Sequence, residues 1–416
     1  MSKFSEIKKR ISESKDGKTV FANFGYLSLL QIAGYVFPLI TMPYLARVIG
    51  ADGFGKIAFA SAVVVWFQTV VDWGFNLTAT RDVAQYRDDR EKVSQIFSNV
   101  LWARCLLMLI SGVVLLGLVA IVPYFRENVA VILITFLMIP GYILFPDWMF
   151  QSLEKMKYTT IFNLLMKLLF TFAVFIFINK REDYVIQPLL SAISYFICGI
   201  GALYVILHKW GYTLYRPQWK EIIKTIKGST DVFINNIMPN FYNSFSVLLL
   251  GFFGGPVANG LYEGGNKFPT IFYQFQSVLS RAFYPFLARR LDKHDFFAKL
   301  NMSIAIIGTV LIIIVSPWVI KIILGKEFEN SIIVMQILSA SLVFLSMNFT
   351  YGTSYLIIIH KEKPLKNLTF VSSIIGMCVS FPLIFYYSYI GAAITVFICR
   401  GMLGIGSFIL ARKYRV

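Results

Sequence analysis

Apolar runs of 22 residues or more follow one another along this 416-residue chain, with short polar breaks between them. They fall at 20–48, 54–79, 96–122, 128–152, 158–179 and 185–207, and again at 230–253, 257–287, 300–322, 331–359, 366–387 and 389–411. A helix crossing the hydrocarbon layer needs about 20 apolar residues. The pattern therefore predicts twelve spans. Hydrophobic residues make up 57% of the chain and charged residues 15%, whereas soluble domains sit near 45–50% and about 25%. A soluble enzyme of this composition would leave large apolar areas in water, so that class is excluded. The longest polar connection, 208–229, is too short for a separate soluble domain. The basic stretch 1–18 precedes an apolar run too long for a signal-peptide core, and the run is read as a first span that stays.

Lys and Arg outnumber Asp and Glu 39 to 22, for a net charge of +17. On the twelve-span plan, 28 of the 39 fall on the two termini and the loops after spans 2, 4, 6, 8 and 10. Seven fall on the opposite side: Arg47, Lys56, Arg126, Lys180, Arg181, Lys321 and Lys326. The positive-inside rule then places both termini in the cytoplasm. The same bias accounts for most of the positive charge without nucleic acid.

Several chemistries lack their residues. Cys105, Cys198, Cys378 and Cys399 are far apart in apolar runs, with no metal-ligand spacing, and are expected to be small buried hydrophobes. His208, His294 and His360 each sit where an apolar run meets a basic loop. No HExxH, no phosphate-binding Gly-Lys-Ser/Thr loop and no GxSxG elbow occurs, which argues against hydrolysis chemistry and an ATP-driven pump on this chain.

The two halves resemble each other at an offset of 200–206. Gly50 and Gly55 match Gly255 and Gly260; Phe125–Asn128 matches Glu327–Asn330; Glu154–Lys157 matches His360–Lys363; Arg81 and Phe97 match Arg281 and Phe297. Six spans per half is an even number, so the halves share one orientation and are related by an axis along the membrane normal. The expected fold is an all-α membrane protein of twelve transmembrane helices in two six-helix bundles. Residues 1–208 form the first bundle, 209–229 a basic cytoplasmic linker and 230–416 the second bundle.

A charge at the centre of a span costs about 2.5–3.5 kcal/mol to insert, so charges in spans are the candidate site. In span 8, Glu263, Lys267, Thr270, Gln274, Ser277 and Arg281 are spaced 4, 3, 4, 3, 4, one face of a helix. Such a stripe lines water or protein rather than lipid. Glu263 and Lys267 form an i,i+4 pair that lowers their burial cost, and Pro269 is a bending candidate. Span 2 places Ser61, Gln68, Asp72 and Asn76 on one face, with Arg81 at its end. Arg81 and Arg281 form a repeat-related pair of cations suited to a dianionic diphosphate. Span 5 carries Thr160, Asn163 and Lys167 on one face; Arg104, near the start of span 3, is expected to snorkel to the interface; Arg400 in span 12 is expected to be paired. Asp72 and Asp147 are the main acids at depth, suited to balancing cations or to binding H⁺ or Na⁺. Asn236, Asn240 and Asn243 share a face of span 7, suited either to sugar hydroxyls or to helix contacts. Pro38 and Pro43 mark span 1 as a bending element.

Three stretches also resemble a known family: Val36-Phe-Pro-Leu-Ile-Thr-Met-Pro-Tyr-Leu-Ala-Arg47-Val-Ile-Gly50 with Phe54-Gly55, Asp72-Trp-Gly-Phe-Asn-Leu-Thr-Ala-Thr-Arg81, and Pro146-Asp-Trp-Met-Phe-Gln-Ser-Leu-Glu-Lys-Met-Lys-Tyr158. They are similar to segments of bacterial O-antigen repeat-unit flippases, of the multidrug/oligosaccharidyl-lipid/polysaccharide exporter superfamily. The resemblance implies a V of two bundles around a cationic cavity in the inner membrane. It also implies an undecaprenyl-diphosphate-linked oligosaccharide as substrate, carried from the cytoplasmic to the periplasmic leaflet. Arg47, Arg81, Lys167, Lys267, Gln274 and Arg281 are then the expected substrate-binding residues, and Asp72, Asp147 and Glu263 the coupling or charge-balancing ones. No cofactor is expected beyond a coupling ion, H⁺ or Na⁺. A polysaccharide polymerase and a chain-length regulator are expected partners, beside membrane lipid. A drug or organic-cation antiporter of the same superfamily predicts a net acidic lumen instead. A membrane polysaccharide polymerase predicts a sizeable external loop, and the external loops here are short.

Overall fold

The structure, a computed structural model, describes residues 15–414, and these are helical or in short connections. Lys3, Lys8, Lys9, Arg10 and Arg415, counted above for topology, lie outside the described residues. The α-helices are α1 (Lys15–Asp72), α2 (Phe75–Gln85), α3 (Arg90–Ile121), α4 (Pro123–Glu127), α5 (Val129–Phe136), α6 (Met138–Leu144) and α7 (Asp147–Ser152). They continue as α8 (Met156–Phe177), α9 (Ile186–Tyr204), α10 (Trp219–Ile237), α11 (Ser244–Arg289), α12 (His294–Val319), α13 (Ser331–Met347) and α14 (Glu362–Lys413). Helix α10 begins inside the segment expected as linker.

Among the described residues, nine helical stretches are long and apolar enough to cross a bilayer. Their outward positions are apolar: Val113, Ile121 and Phe385 are exposed at 71%, 78% and 64%. An apolar surface of this kind is stable only against lipid, and the chain is an integral membrane protein. Three of the nine stretches, Val36–Gln85, Met238–Arg289 and Glu362–Lys413, run for 50 to 52 residues. At 1.5 Å per residue each is about 75 Å of helix, more than twice the hydrocarbon thickness of about 30 Å. Each contains a residue whose backbone leaves the helix: Gly50, Gly255 and Ser388.

The internal repeat is visible in the backbone. Gly50 has φ 66° and ψ −178°, and Gly255 has φ 74° and ψ −176°. That region is open almost only to glycine. It explains why the chain breaks there and not at Pro38, Pro43 or Pro269, whose fixed φ is compatible with a helix. The segments following the two breaks pack reciprocally. A Cβ on Gly55 would lie 1.6 Å from the Pro256 carbonyl oxygen, and one on Gly260 would lie 2.0 Å from that of Ala51. Glu154 and His360, also repeat-related, both adopt φ 57°. Each is followed by the same closing bond, Lys155 N–H to Phe150 O and Lys361 N–H to Leu356 O, both 2.8 Å.

The contacts divide the chain into two units. The first comprises Met1–Tyr44, Phe67–Asn179 and Val185–Ile234; the second comprises Leu45–Trp66, Lys180–Tyr184 and Asn235–Val416. In the first, α9 packs on α6 and α8, and α2 on α7. Thr213 and Tyr215, in the connection after α9, are held along α3. Ser94 and Ser98, one turn apart, accept from the Thr213 and Tyr215 amides at 3.1 and 2.9 Å, and the Trp102 indole donates to Tyr215 O at 2.9 Å. In the second, α14 packs on α13 and α11 around Leu250, Tyr262, Val334, Leu338, Ala392 and Val396. Small residues allow close approach: a Cβ on Gly404 would come within 2.2 Å of Phe344 O.

Candidate functional site

The polar groups at depth form two sets, one in each unit. In the first unit the chain turns sharply between α1 and α2, with Trp73 and Gly74 at φ 43° and 78°. There is no room for a side chain at Gly74, where a Cβ would lie 2.7 Å from Val232. Trp73 stacks on Phe233 with ring centroids 4.0 Å apart. This turn delivers Asp72 and Asn76 to Arg104 of α3. The Arg104 guanidinium donates to Asp72 Oδ1 at 2.6 Å and to Asn76 Oδ1 at 2.8 Å. Asn76 Nδ2 donates to Asp72 Oδ2 at 3.1 Å and to the Tyr142 hydroxyl at 2.9 Å, and that hydroxyl donates to Asp72 Oδ1 at 3.2 Å. Arg104 is 1% exposed, with its guanidinium carbon 5.3 Å from the Tyr142 ring centre. Asp147, half-buried at the start of α7, feels the charges of Arg104 and Asp72.

Arg104 therefore does not snorkel. Its position is set by Asp72, whose charge at that depth requires a counter-charge, and a buried pair with its remaining lone pairs bonded is the arrangement that tolerates burial. Asp72 and Asn76, expected on one face of a continuous helix, instead meet across the α1–α2 turn, and sequence reasoning missed Arg104 and Tyr142 as their partners. The available signal was an acid at depth in span 2 with a cation at depth in span 3.

Lys167 on α8 is half-buried and pairs with no carboxylate among the described residues. On its expected face, Thr160 is buried and donates to Tyr26 O at 3.0 Å, while Asn163 bonds within the helix. Arg81 is exposed and pairs with its neighbour Asp82 at 2.8 Å.

In the second unit, Glu263 and Lys267 pair at 3.1 Å, with side chains 18% and 42% exposed. Below them Thr270, Gln274 and Ser277 are half-buried and Arg281 is exposed. The stripe is thus only partly packed against protein, whereas Asn259, Gln276 and Ser280 on other faces of α11 are buried at 0–2%. Among the described residues Arg281 pairs with no carboxylate. The Lys267 ammonium lies 6.0 Å from the Phe54 ring centre. Arg47 is exposed and donates to Ile322 O. Arg400 is half-buried and donates to Ser341 Oγ at 2.9 Å. Its expected pairing is met by a hydroxyl, with no carboxylate partner among the described residues. Asn236 and Asn243 are exposed and Asn240 half-buried. Of the cysteines, Cys198 and Cys399 are buried as expected, but Cys378 is exposed on an apolar helix face and Cys105 is intermediate.

Outside the spans, Glu329 and Lys155 are among the groups with shifted ionisation. The Lys321 ammonium, 2.9 Å away, donates to Glu329 and holds its carboxyl below the usual range. Burial pulls Lys155 below the usual lysine value; its ammonium lies 3.8 Å over the Trp210 ring.

Similarities to known proteins agree with this architecture. Over 382 residues the chain is 27% identical to an Escherichia coli K12 protein named "Putative O-antigen transporter", covering 90% of this chain and 92% of that one. A Shigella dysenteriae protein of the same name is 28% identical, with 90% and 95% covered. Among solved structures, the lipid II flippase MurJ in an inward closed conformation superposes with a TM-score of 0.69 at 13% identity, over 94% of this chain and 87% of that one. An inward-facing multidrug resistance MATE family transporter of the MOP superfamily superposes with a TM-score of 0.67 at 15% identity, over 94% and 97%. At such identities these two report a shared fold alone. Residues 20–291 match the polysaccharide biosynthesis protein family, and the chain belongs to that family.

Proposed function

We propose that this chain carries a lipid-linked oligosaccharide, an undecaprenyl-diphosphate repeat unit, across the bacterial inner membrane from the cytoplasmic to the periplasmic leaflet. Two six-helix bundles expose the site to one side at a time, with both termini in the cytoplasm. Twelve passes follow if each of the three long stretches turns back at its non-helical residue, Gly50, Gly255 or Ser388. The names of the E. coli and S. dysenteriae relatives support the substrate class.

The observation that carries the reading is the α11 stripe. It leaves Lys267 and Arg281 accessible on a helix whose other faces are packed or apolar. Hydration of a diphosphate and its sugars is too costly to abandon in hydrocarbon. Lys267, Arg281 and Lys167 replace water for the anion, with Gln274 offering an amide to the glycan, while the polyprenyl tail stays in lipid. Arg47 and Arg81 hold the two mouths of the route. Asp72, Asp147 and Glu263 balance these cations, and Asp72 with Asp147 take up the coupling ion, H⁺ or Na⁺. A polymerase and a chain-length regulator act on the delivered unit. No bond is made or broken.

The test is transport of a diphosphate-linked glycolipid in sealed vesicles, with and without a proton or sodium gradient. Lys267→Glu and Arg281→Glu are expected to abolish transfer while the protein still inserts. Wild-type transfer in both variants removes these residues from the mechanism. Gradient-driven uptake of an organic cation without glycolipid transfer favours the antiporter reading instead.

A further inference from the structure

One small group of side chains occurs twice, once within each unit, at repeat-related positions. In the first unit Lys155 precedes α8 and Trp210 follows α9. The Lys155 ammonium lies 3.8 Å from the Trp210 ring centre, and that of Lys209 lies 5.8 Å from the Tyr158 ring centre. Phe150 and Tyr158 meet Trp210 edge-on, with ring centroids 5.4 and 5.2 Å away, and Arg90 donates to its carbonyl. In the second unit the Lys361 ammonium lies 5.1 Å from the Tyr414 ring centre, and that of Lys413 lies 5.8 Å from it. Lys155 and Lys361 are 206 positions apart, as are Lys157 and Lys363; Lys209 and Lys413 are 204 apart, as are Trp210 and Tyr414. Lys155 and Lys361 each follow the residue at φ 57° and donate its closing backbone bond. All six lysines are exposed, and none pairs with a carboxylate among the described residues. The adjacent acids, Glu154 and Glu362, leave both groups net positive, and Glu154 is taken by Arg87 at 3.6 Å.

We propose that each group binds the phosphodiester of an anionic glycerophospholipid of the phosphatidylglycerol type, so that the chain carries two such sites. A ring satisfies one side of an ammonium and leaves its other N–H groups for an anion. Three lysines without carboxylate partners at the ends of two spans form a basic site at the level of the lipid phosphates. What points to a lipid rather than a soluble phosphate is the helix face that each group heads. Lys157, Ile161, Leu165, Leu168 and Phe172 are spaced 4, 4, 3 and 4 along α8, one face, and the four apolar side chains are 39% to 65% exposed. Val371 and Phe381 stand on the face of α14 headed by Lys363 and are 49% and 46% exposed. A lipid with its phosphate at the lysines lays its acyl chains along these faces. Phosphatidylglycerol is preferred to phosphatidylcholine and phosphatidylethanolamine because it brings no cation of its own to the lysines. Recurrence separates these sites from the general excess of Lys and Arg at span ends. That bias requires only charge on a loop, not a lysine over an aromatic ring at matching positions of both halves. The sites are independent of the transport route proposed above.

Native mass spectrometry of the full chain in detergent tests this, with phosphatidylglycerol, phosphatidylcholine and phosphatidylethanolamine of identical acyl chains, with chain-free glycerophosphoglycerol, and with a polyprenyl diphosphate. Two phosphatidylglycerol molecules per chain are expected to be retained, each about tenfold more tightly than the zwitterionic lipids, equivalent to about 1.4 kcal/mol. The chain-free headgroup should not be retained. Lys155→Gln, Lys157→Gln and Lys209→Gln together should leave one bound lipid. Lys361→Gln, Lys363→Gln and Lys413→Gln together should also leave one, and all six should leave none. Arginine at the same six positions should keep both. Lys157→Gln alone, which breaks no ring contact, should weaken one site about fivefold, equivalent to about 1 kcal/mol. All six side chains are exposed, so unfolding temperatures in lipid-free detergent should not move. Equal retention of phosphatidylcholine, a graded series of many bound lipids in place of two, or an unchanged count in either triple variant overturns the proposal. So does equal retention of the chain-free headgroup, or displacement of both lipids by an equal concentration of the polyprenyl diphosphate, which would assign the sites to a transported lipid.

Discussion

Replacing Gly55 with alanine tests the reciprocal crossing between the start of span 2 in α1 and its repeat counterpart in α11. The added Cβ would sit 1.6 Å from the Pro256 carbonyl oxygen, where a carbon–oxygen contact normally needs about 3.3–3.6 Å. The two backbones must therefore separate locally by about 1.7–2 Å. The obstacle is backbone, so no rotamer change relieves it. Overpacking of this kind costs typically about 1–3 kcal/mol, and the rigid neighbour puts the expected value at the upper end. In a unit of this size each kcal/mol lowers the unfolding temperature by about 2–4 °C. Gly260→Ala meets Ala51 O at 2.0 Å and should behave alike. The double variant should cost less than the sum of the singles, because the first wedge already opens the crossing for the second. Gly117→Ala on α3 is the control: nothing lies within 4 Å of its new Cβ, and it should be neutral or stabilising by about 0.4–1 kcal/mol. Thermal unfolding of purified protein in one detergent measures all four. If Gly55→Ala melts with the control, the close crossing is wrong, and with it the reading of Gly55 and Gly260 as packing glycines.

Other outcomes follow from the site geometry. A double-mutant cycle on Arg104→Gln and Asp72→Asn should give a coupling of about 0.5–3 kcal/mol, because either single change strands a charged partner at depth; additive melting shifts would show that the pair is not formed. Glu329 is depressed by Lys321, so its small contribution is fully present above the ordinary carboxylate pKa and is lost as pH falls through the lower folded value. Replacing Glu329 with Gln should therefore lower the unfolding temperature by a small amount that is constant between about pH 5 and 8 and shrinks as pH falls through the folded value, and a pH-dependent difference within that window would contradict the pairing. Cys378, exposed on its helix, should react with a lipid-soluble maleimide under conditions that leave Cys198 and Cys399 unmodified; equal labelling of all three would mean the helix is rotated.

Much of the architecture was legible from residue order. The apolar runs anticipated the helices, and the glycine matches at 50/255 and 55/260 marked the internal repeat; the backbone breaks and the close crossing at these glycines came only from the structure, since the sequence reading had put the bends at prolines. Glu154 and His360 share no side-chain chemistry, yet their loops close identically, and only the surrounding Lys pattern hinted at it. The polar stripe on α11 was readable because helical spacing fixes which side chains share a face. An acid in span 2 and a cation in span 3 hinted at the Asp72–Arg104 pair but did not fix it or bring in Tyr142, because these side chains come from helices whose rotation the sequence leaves open.

Hydropathy by itself decided that this chain is a helical membrane protein, since the cost of exposing peptide groups or charges to lipid acts on local sequence alone, and residue matches at an offset of 200–206 marked the internal repeat. The tertiary structure decided that Arg104 is a buried counter-charge rather than an interfacial anchor, that Arg400 meets a serine, and that the α11 stripe is left uncovered. Those outcomes depend on which helices become neighbours, and a buried charge takes its partner from whichever neighbour reaches it.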